Sequence, residues 1–220
     1  TEVDDRGRVV AHMASGKRVA ADALLYAVGR QTNTDSLGIE AAGLASDDRG
    51  RLEVDEYFRT KVPHIYAAGD VVGFPALAST SMEQGRIAAL HAFGAPATTR
   101  PELLPYGIYT VPEMSMVGMT EEEATKRSIP YAVGTARYDE LAKGKMLGDQ
   151  SGFLKLLFDP DTKKLLGVHG IGERATEIIH IGQAVLAHGG SVEYFRDAVF
   201  NYPTLAEAYK VAAFDGLNRL

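Results

Sequence analysis

The sequence predicts two fold classes in succession, an α/β part and then an α+β part. Two observations carry the first class. The run Ala23-Leu24-Leu25-Tyr26-Ala27-Val28 ends at Gly29, and Ile65-Tyr66-Ala67-Ala68 ends at Gly69-Asp70. Short unbroken apolar runs stopped by glycine suit strands buried on both faces. A third observation carries the second class: beyond Ala97 to Pro105 the order changes to strands followed by helices.

In chain order, Arg8 to Met13 is β-rich, Ala14-Ser15-Gly16-Lys17 signals a turn, and Arg18-Val19-Ala20 leads back. Residues Gln31 to Gly50 are polar, with one helical turn expected at Ile39 to Ala42. Pro63 can open the strand at Ile65 to Ala68 but could not continue a central one. Ser79 to Phe93 reads as a helix, stopped by Gly94-Ala95-Pro96. The Pro- and Thr-bearing stretch Ala97 to Pro105 reads as a linker. Met114 to Met119 is strand-like, and Thr120-Glu121-Glu122-Glu123 is a capping box opening a short helix that ends before Pro130. Tyr131 to Arg137 is a strand. Gly152 to Phe158 and Leu165 to Gly172 flank Asp159 to Lys163 as a hairpin. Lys143-Gly144-Lys145 reads as a flexible loop. Ala175 to His188 is an amphipathic helix closed by Gly189-Gly190, Ser191 caps a short one, and Pro203 to Glu207 starts a last helix running towards Leu217. No internal repeat or low-complexity tract stands out.

Composition excludes several classes. No cysteine is present, so a disulfide-stapled scaffold is excluded. With 23 Lys+Arg against 29 Asp+Glu, the net charge of -6 argues against a nucleic-acid partner. At 45% hydrophobic and 24% charged, the chain has a globular composition. No apolar run reaches the roughly 18 residues of a membrane-spanning helix. His12, His64, His91, His169, His180 and His188 lack metal-ligand spacing, so no metal is expected. The opening Thr1-Glu2-Val3-Asp4, with no Met and no signal-like segment, carries the expectation that the chain is part of something longer.

Three constellations carry chemistry, each beside a plainer reading. Gly69-Asp70 ends a strand ahead of the helix near Ser79; ligands of open parallel sheets sit beyond such ends, and an ionised Asp accepts hydrogen bonds from sugar-like hydroxyls. The helix start after it favours anionic atoms. Gly-Asp is also a common turn. Gly29-Arg30 ends the other strand and is either a nucleotide edge or a solvated charge. In Asn201-Tyr202-Pro203-Thr204-Leu205-Ala206-Glu207, Thr204 and Glu207 have capping-box spacing, which explains both without chemistry. No G-x-S-x-G elbow supports a hydrolase.

At these constellations the whole chain resembles the flavoprotein pyridine nucleotide–disulfide oxidoreductases. Asp22 to Asn33 resembles the segment closing their nicotinamide-nucleotide domain, and Ile65 to Asp70 their second FAD motif. Ala76, Leu77, Ala78 and Ser79 match positions that pass the flavin. Pro112-Glu113, Val117-Gly118, Thr120 to Ala124, His169-Gly170 and Ala175-Thr176-Glu177 resemble the interface domain. The resemblance implies partial FAD/NAD(P)-binding, Rossmann-like segments followed by an α+β interface (dimerisation) domain with an antiparallel sheet and packed helices. Its boundaries are residues 1–30, 31–102 and 103–220.

What the resemblance implies for chemistry turns on one departure. Disulfide reductases of the family carry His-Pro-Thr with Glu five residues after the His; here Pro203, Thr204 and Glu207 match but Tyr202 replaces the His. A phenol of pKa about 10 is a poor proton shuttle near neutrality, where His at about 6.5 is well placed. The Tyr202 variant, with Ala-Glu-Ala-Tyr after it and Gly216 to Leu220 at the end, is similar to members that move hydride between NADPH and NAD through FAD. The implied cofactors are FAD, NAD and NADP, in a cytoplasmic homodimer. Gly29, Arg30, Gly69, Asp70, Ala76, Leu77, Ala78 and Ser79 are the implied cofactor contacts, with Tyr202 and Glu207 reaching the partner's flavin. The alternatives are a dihydrolipoamide dehydrogenase-like disulfide reductase and, for the chain alone, an inactive dimerisation module, since the family's first Gly-rich turn has no counterpart here.

Overall fold

The computed structural model describes residues 1–97 and 103–220. Most of the expected linker and the boundary at 102 and 103 lie outside or at the edge of the described residues. Two compact units form, Thr1–Ala76 and Leu77–Leu220.

The first unit opens with an antiparallel sheet of β1 (Glu2–Val3), β2 (Val9–His12) and β3 (Arg18–Ala21), in that order. Val10 is its buried residue. The turn between β1 and β2 is built by Asp4, whose Oδ1 accepts the N–H of Arg6 and of Arg8 at 3.0 and 2.9 Å. The same pentapeptide, Asp-Asp-Arg-Gly-Arg, recurs at 47–51, a short repeat that the sequence reading overlooked. There Asp47 Oδ1 accepts from Arg49 N and Arg51 N at 2.8 and 2.9 Å. One carboxylate satisfying two turn N–H groups is the Asx device that competes with regular structure. The helical turn at Ile39–Ala42 forms as a 3-10 segment between Gly38 and Gly43.

Two expected strands do not form. Ala23 to Val28 has no ladder, with Leu25 88% and Tyr26 80% exposed. Ile65 to Ala68 makes only a single bridge, Arg59 to Tyr66. Their composition is that of central strands, but a strand exists only by pairing: among the described residues none pairs with 23–28, and only the short stretch 58–60 runs beside 65–67, with Thr60 N–H donating to the Ile65 carbonyl and Ala67 N–H to the Phe58 carbonyl, both at 2.9 Å.

In the second unit, α1 (Ala78–Ala92) precedes a five-stranded antiparallel sheet of order β4-β5-β8-β7-β6. Its strands are β4 (Tyr106–Ile108), β5 (Met114–Gly118), β6 (Ala132–Arg137), β7 (Phe153–Phe158) and β8 (Leu165–Ile171). The edge strand β4 is not legible from its own sequence; it exists because Tyr106 pairs with Met116 and Ile108 with Met114. The hairpin of β7 and β8 is in the expected place, with Lys155 opposite His169. Thr120 caps α2 (Glu121–Lys126) by accepting Glu123 N–H at 3.1 Å. The loop expected at 143–145 is instead inside α3 (Ala142–Leu147). Gly144 permits this: a Cβ there would lie 1.9 Å from the Tyr138 carbonyl oxygen, so only glycine lets α3 close on that turn.

Helices α4 (Ala175–Ala187) and α6 (Glu207–Leu217) cover one face of the sheet, α4 over β8 and β5, α6 over β6 and β7, with α5 (Glu193–Asp197) against α6. The period-2 pattern turns Val117, Leu154, Leu156 and Val168 towards them, fully buried with Ile179, Phe195 and Tyr209. Two expected caps fail. Ser191 gives α5 no side-chain cap. The Thr204–Glu207 capping box is absent, because Thr204 Oγ1 donates to the Asn201 carbonyl at 2.7 Å and α6 begins only at Glu207.

Candidate functional site

The first unit holds a cavity of about 710 Å³ whose walls include Gly29, Arg30, Arg49, Arg51, Asp70 and Ala76. Residues distant in sequence therefore meet. Asp70 begins a 3-10 turn, Asp70–Val72, bounded by Gly69 (φ 87°) and Gly73 (φ 91°). Its carboxylate is part-exposed, with Arg30 Nη1 3.7 Å from Oδ2. Leu52 N–H donates to the Val71 carbonyl at 2.8 Å, tying the 47–52 turn to this loop. A part-exposed, acceptor-only carboxylate among guanidinium groups fits a ligand that carries both hydroxyls and negative charge. The sequence reading missed Arg49 and Arg51; the available signal was two arginines flanking Gly50 in the turn signature.

In the second unit, Leu77, Ala78 and Ser79 open α1, where the Leu77 carbonyl accepts from Ser81 N at 2.8 Å and Ser81 Oγ at 2.9 Å. Tyr202 is 73% exposed, so its phenol projects from the chain. Glu207 Oε2 is buried without a hydrogen-bond partner. The two side chains share no hydrogen bond.

Motif segments also meet in this unit. Glu113 Oε2 accepts Thr176 N–H at 3.1 Å and Thr176 O–H at 2.6 Å, joining the loop before β5 to the start of α4. Tyr209 donates to the Ile178 carbonyl at 2.8 Å and accepts Gly182 N–H at 3.1 Å. Burial raises that phenol well above its ordinary range. On the sheet face away from α4, His169 lines a cavity of about 430 Å³ with Met114, Met116, Phe153, Lys155 and Ile171. Both ring nitrogens are buried and unpartnered. Burial, helped by the Lys155 charge, pushes His169 down to about 4; Glu121, paired with Lys155 at 2.5 Å, opposes this. Among the described residues no cluster of His, Cys, Asp or Glu could hold a metal, and no helix is long and apolar enough to cross a membrane.

Comparison with known proteins places this geometry. Residues 104–213 match the family model of the pyridine nucleotide-disulphide oxidoreductase dimerisation domain, and residues 1–85 that of pyridine nucleotide-disulphide oxidoreductase. A protein of Mycobacterium tuberculosis named soluble pyridine nucleotide transhydrogenase is 60% identical over 96% of this chain and 45% of its own length. One of the same name from Serratia proteamaculans is 54% identical over 96% of the chain and 46% of its own. The chain thus spans about half the length of the curated relatives it matches. The crystal structure of LpdA from M. tuberculosis superposes with a TM-score of 0.82 at 28% identity, covering 93% of this chain and 45% of that one. The Cu(II) complex of the HOCl-induced flavoprotein disulfide reductase RclA from Escherichia coli gives 0.85 at 29%, covering 96% and 48%. On the dimerisation-domain match, the fold and these relatives, the chain belongs to the pyridine nucleotide-disulphide oxidoreductase family.

Proposed function

We propose that this chain is the carboxyl-terminal part of an FAD-dependent oxidoreductase that transfers hydride between NADPH and NAD. The observation that carries the reading is 60% identity across nearly the whole chain to relatives named soluble pyridine nucleotide transhydrogenase. In this reading residues 1–30 end the nicotinamide-nucleotide domain, 31–102 return to the FAD domain and 103–220 form the interface domain. Asp70, at the start of its 3-10 turn, accepts hydrogen bonds from the ribityl hydroxyls. Gly69, Ala76, Leu77, Ala78 and Ser79 hold the flavin's surroundings, and Gly29 with Arg30 borders the nicotinamide. The chemistry FAD supplies when bound is two-electron hydride exchange with nicotinamides. Such exchange needs positioning but no thiol base, which agrees with a tyrosine at 202 where disulfide reductases use histidine. The match to a dimerisation domain supports a homodimer, in which Tyr202 and Glu207 face the partner's flavin. The protein acts in the cytoplasm.

The test is an assay of the full-length protein with NADPH and NAD, and separately with dihydrolipoamide. Hydride transfer to NAD with negligible dihydrolipoamide oxidation is the expected result. Robust dihydrolipoamide oxidation would overturn the reading in favour of a disulfide reductase.

A second reading concerns the 220-residue chain by itself. Its second unit has a complete core, while the apolar runs at 23–28 and 65–68 have no ladder. By itself it acts as a dimerisation module without catalysis.

A further inference from the structure

The two Asp-Asp-Arg-Gly-Arg turns are chemically identical, and their final arginines behave differently. Arg8 gives both Nε and Nη2 to Asp4 Oδ2, at 3.0 and 2.9 Å. Arg51 gives Asp47 Oδ2 only its Nε, at 2.8 Å. Among the described residues no acceptor takes either Nη of Arg51. Its stem lies over Gly73 instead: a Cβ built on that glycine would come 2.9 Å from Arg51 Cδ and 3.2 Å from Nη1. The side chain is therefore seated on the turn that begins at Asp70, in the wall of the cavity, with donors to spare. The turn does not require this pose, as its twin at 4–8 shows.

The charges lining that cavity are Arg30, Arg49, Arg51 and Asp70. Arg30 is the cation beside Asp70; Arg51 is held through Nε by Asp47, which is not in the cavity wall, and Arg49 has no carboxylate in that wall. A carboxylate repels a phosphate and accepts from a hydroxyl; a guanidinium with two free Nη groups does the reverse, matching phosphate oxygens with paired donors. The cavity therefore suits a ligand with a polyol next to a phosphate.

We infer that Arg51 is a phosphate-recognising residue that makes the first unit's cavity select phosphorylated flavins, FMN and FAD, over riboflavin. This rests on the reading of the cavity as a flavin site. In the full-length protein stripped of flavin, titration with FAD, FMN and riboflavin, followed by quenching of flavin fluorescence, separates the two ideas. Arg51→Ala is expected to weaken FAD and FMN about tenfold, the loss of one charge-assisted contact, and to leave riboflavin unchanged. Arg51→Gln keeps a stem over Gly73 without the charge and is expected to do the same, so the test survives if the alanine variant folds poorly. Arg8→Ala, in the twin turn, is expected to change none of the three affinities. A wild-type protein that binds no flavin would overturn the flavin reading itself. Wild-type binding with equal losses for FAD and riboflavin in both Arg51 variants, or no loss at all, would leave that reading standing and overturn the role of Arg51.

Discussion

His169 shows how far one residue's environment outruns its sequence. Its spacing carried no metal signal, and its place opposite Lys155 in the hairpin register is a property of the sheet. With both nitrogens buried and unpartnered, the neutral form is favoured and the folded value falls to about 4. The unfolded chain, at about 6.5, binds the proton more readily, so the stability tied to neutral His169 is complete above that value and is lost as pH falls from there towards 4. Lys155 on β7 works in the same direction and Glu121 on α2 against it. We predict that lowering the pH from about 7.5 to about 5 costs the wild-type protein about 1–2 kcal/mol more than a His169→Gln variant. Urea unfolding at the two pH values measures this; parallel losses in both proteins would refute it. The glutamine must find its own partners in the cavity, so the comparison is of slopes with pH, not of absolute stabilities.

At the scale of elements, legibility followed pairing. Where a segment's partner is close in sequence, as in β7 with β8, or where the 3.6-residue period is long, as in α4, the pattern was enough to find it. Elsewhere the pattern misled, even where the partner is close. The runs at 23–28 and 65–68 have strand composition without a ladder, β4 has a ladder without strand composition, and Thr204 spends its hydroxyl on the Asn201 carbonyl and not on a capping box. Remoteness in sequence hides what fixes α6 to α4. Tyr209 lies far along the chain from the two backbone groups it bridges, Ile178 C=O and Gly182 N–H, and it packs on Phe195 with ring centroids 4.7 Å apart. Tyr209→Phe keeps the ring and strands both backbone groups in a dry core. The expected cost is about 1–3 kcal/mol of stability, read from the denaturation midpoint at constant m-value. A loss below a few tenths would mean that the two backbone groups find other partners.

At the scale of the whole molecule, the two units differ in what they contain for themselves. The second closes a core over Val117, Leu154, Leu156, Phe158, Val168, Ile179 and Tyr209, and its strands all pair within it. The first places Asp70, Arg30 and Arg51 around one cavity but leaves Leu25 and Tyr26 in solvent. The sequence made Gly29-Arg30 and Gly69-Asp70 visible because glycine after an apolar run is a local signal. It could not show whether the runs would find neighbours, since that depends on segments that must lie beside them. Holding a dinucleotide asks for a preorganised site, and a ligand that must first order its own loops loses affinity to that ordering. The purified 220-residue chain is therefore expected to be colourless and without NADPH-to-NAD hydride transfer, while its second unit still brings two copies together. Absorption spectra of the purified chain and size-exclusion chromatography with light scattering check the two halves of this expectation separately. Flavin absorbance co-eluting with the chain would show that this cavity suffices without further structure, and a monomeric mass would remove the interface role from residues 103–220.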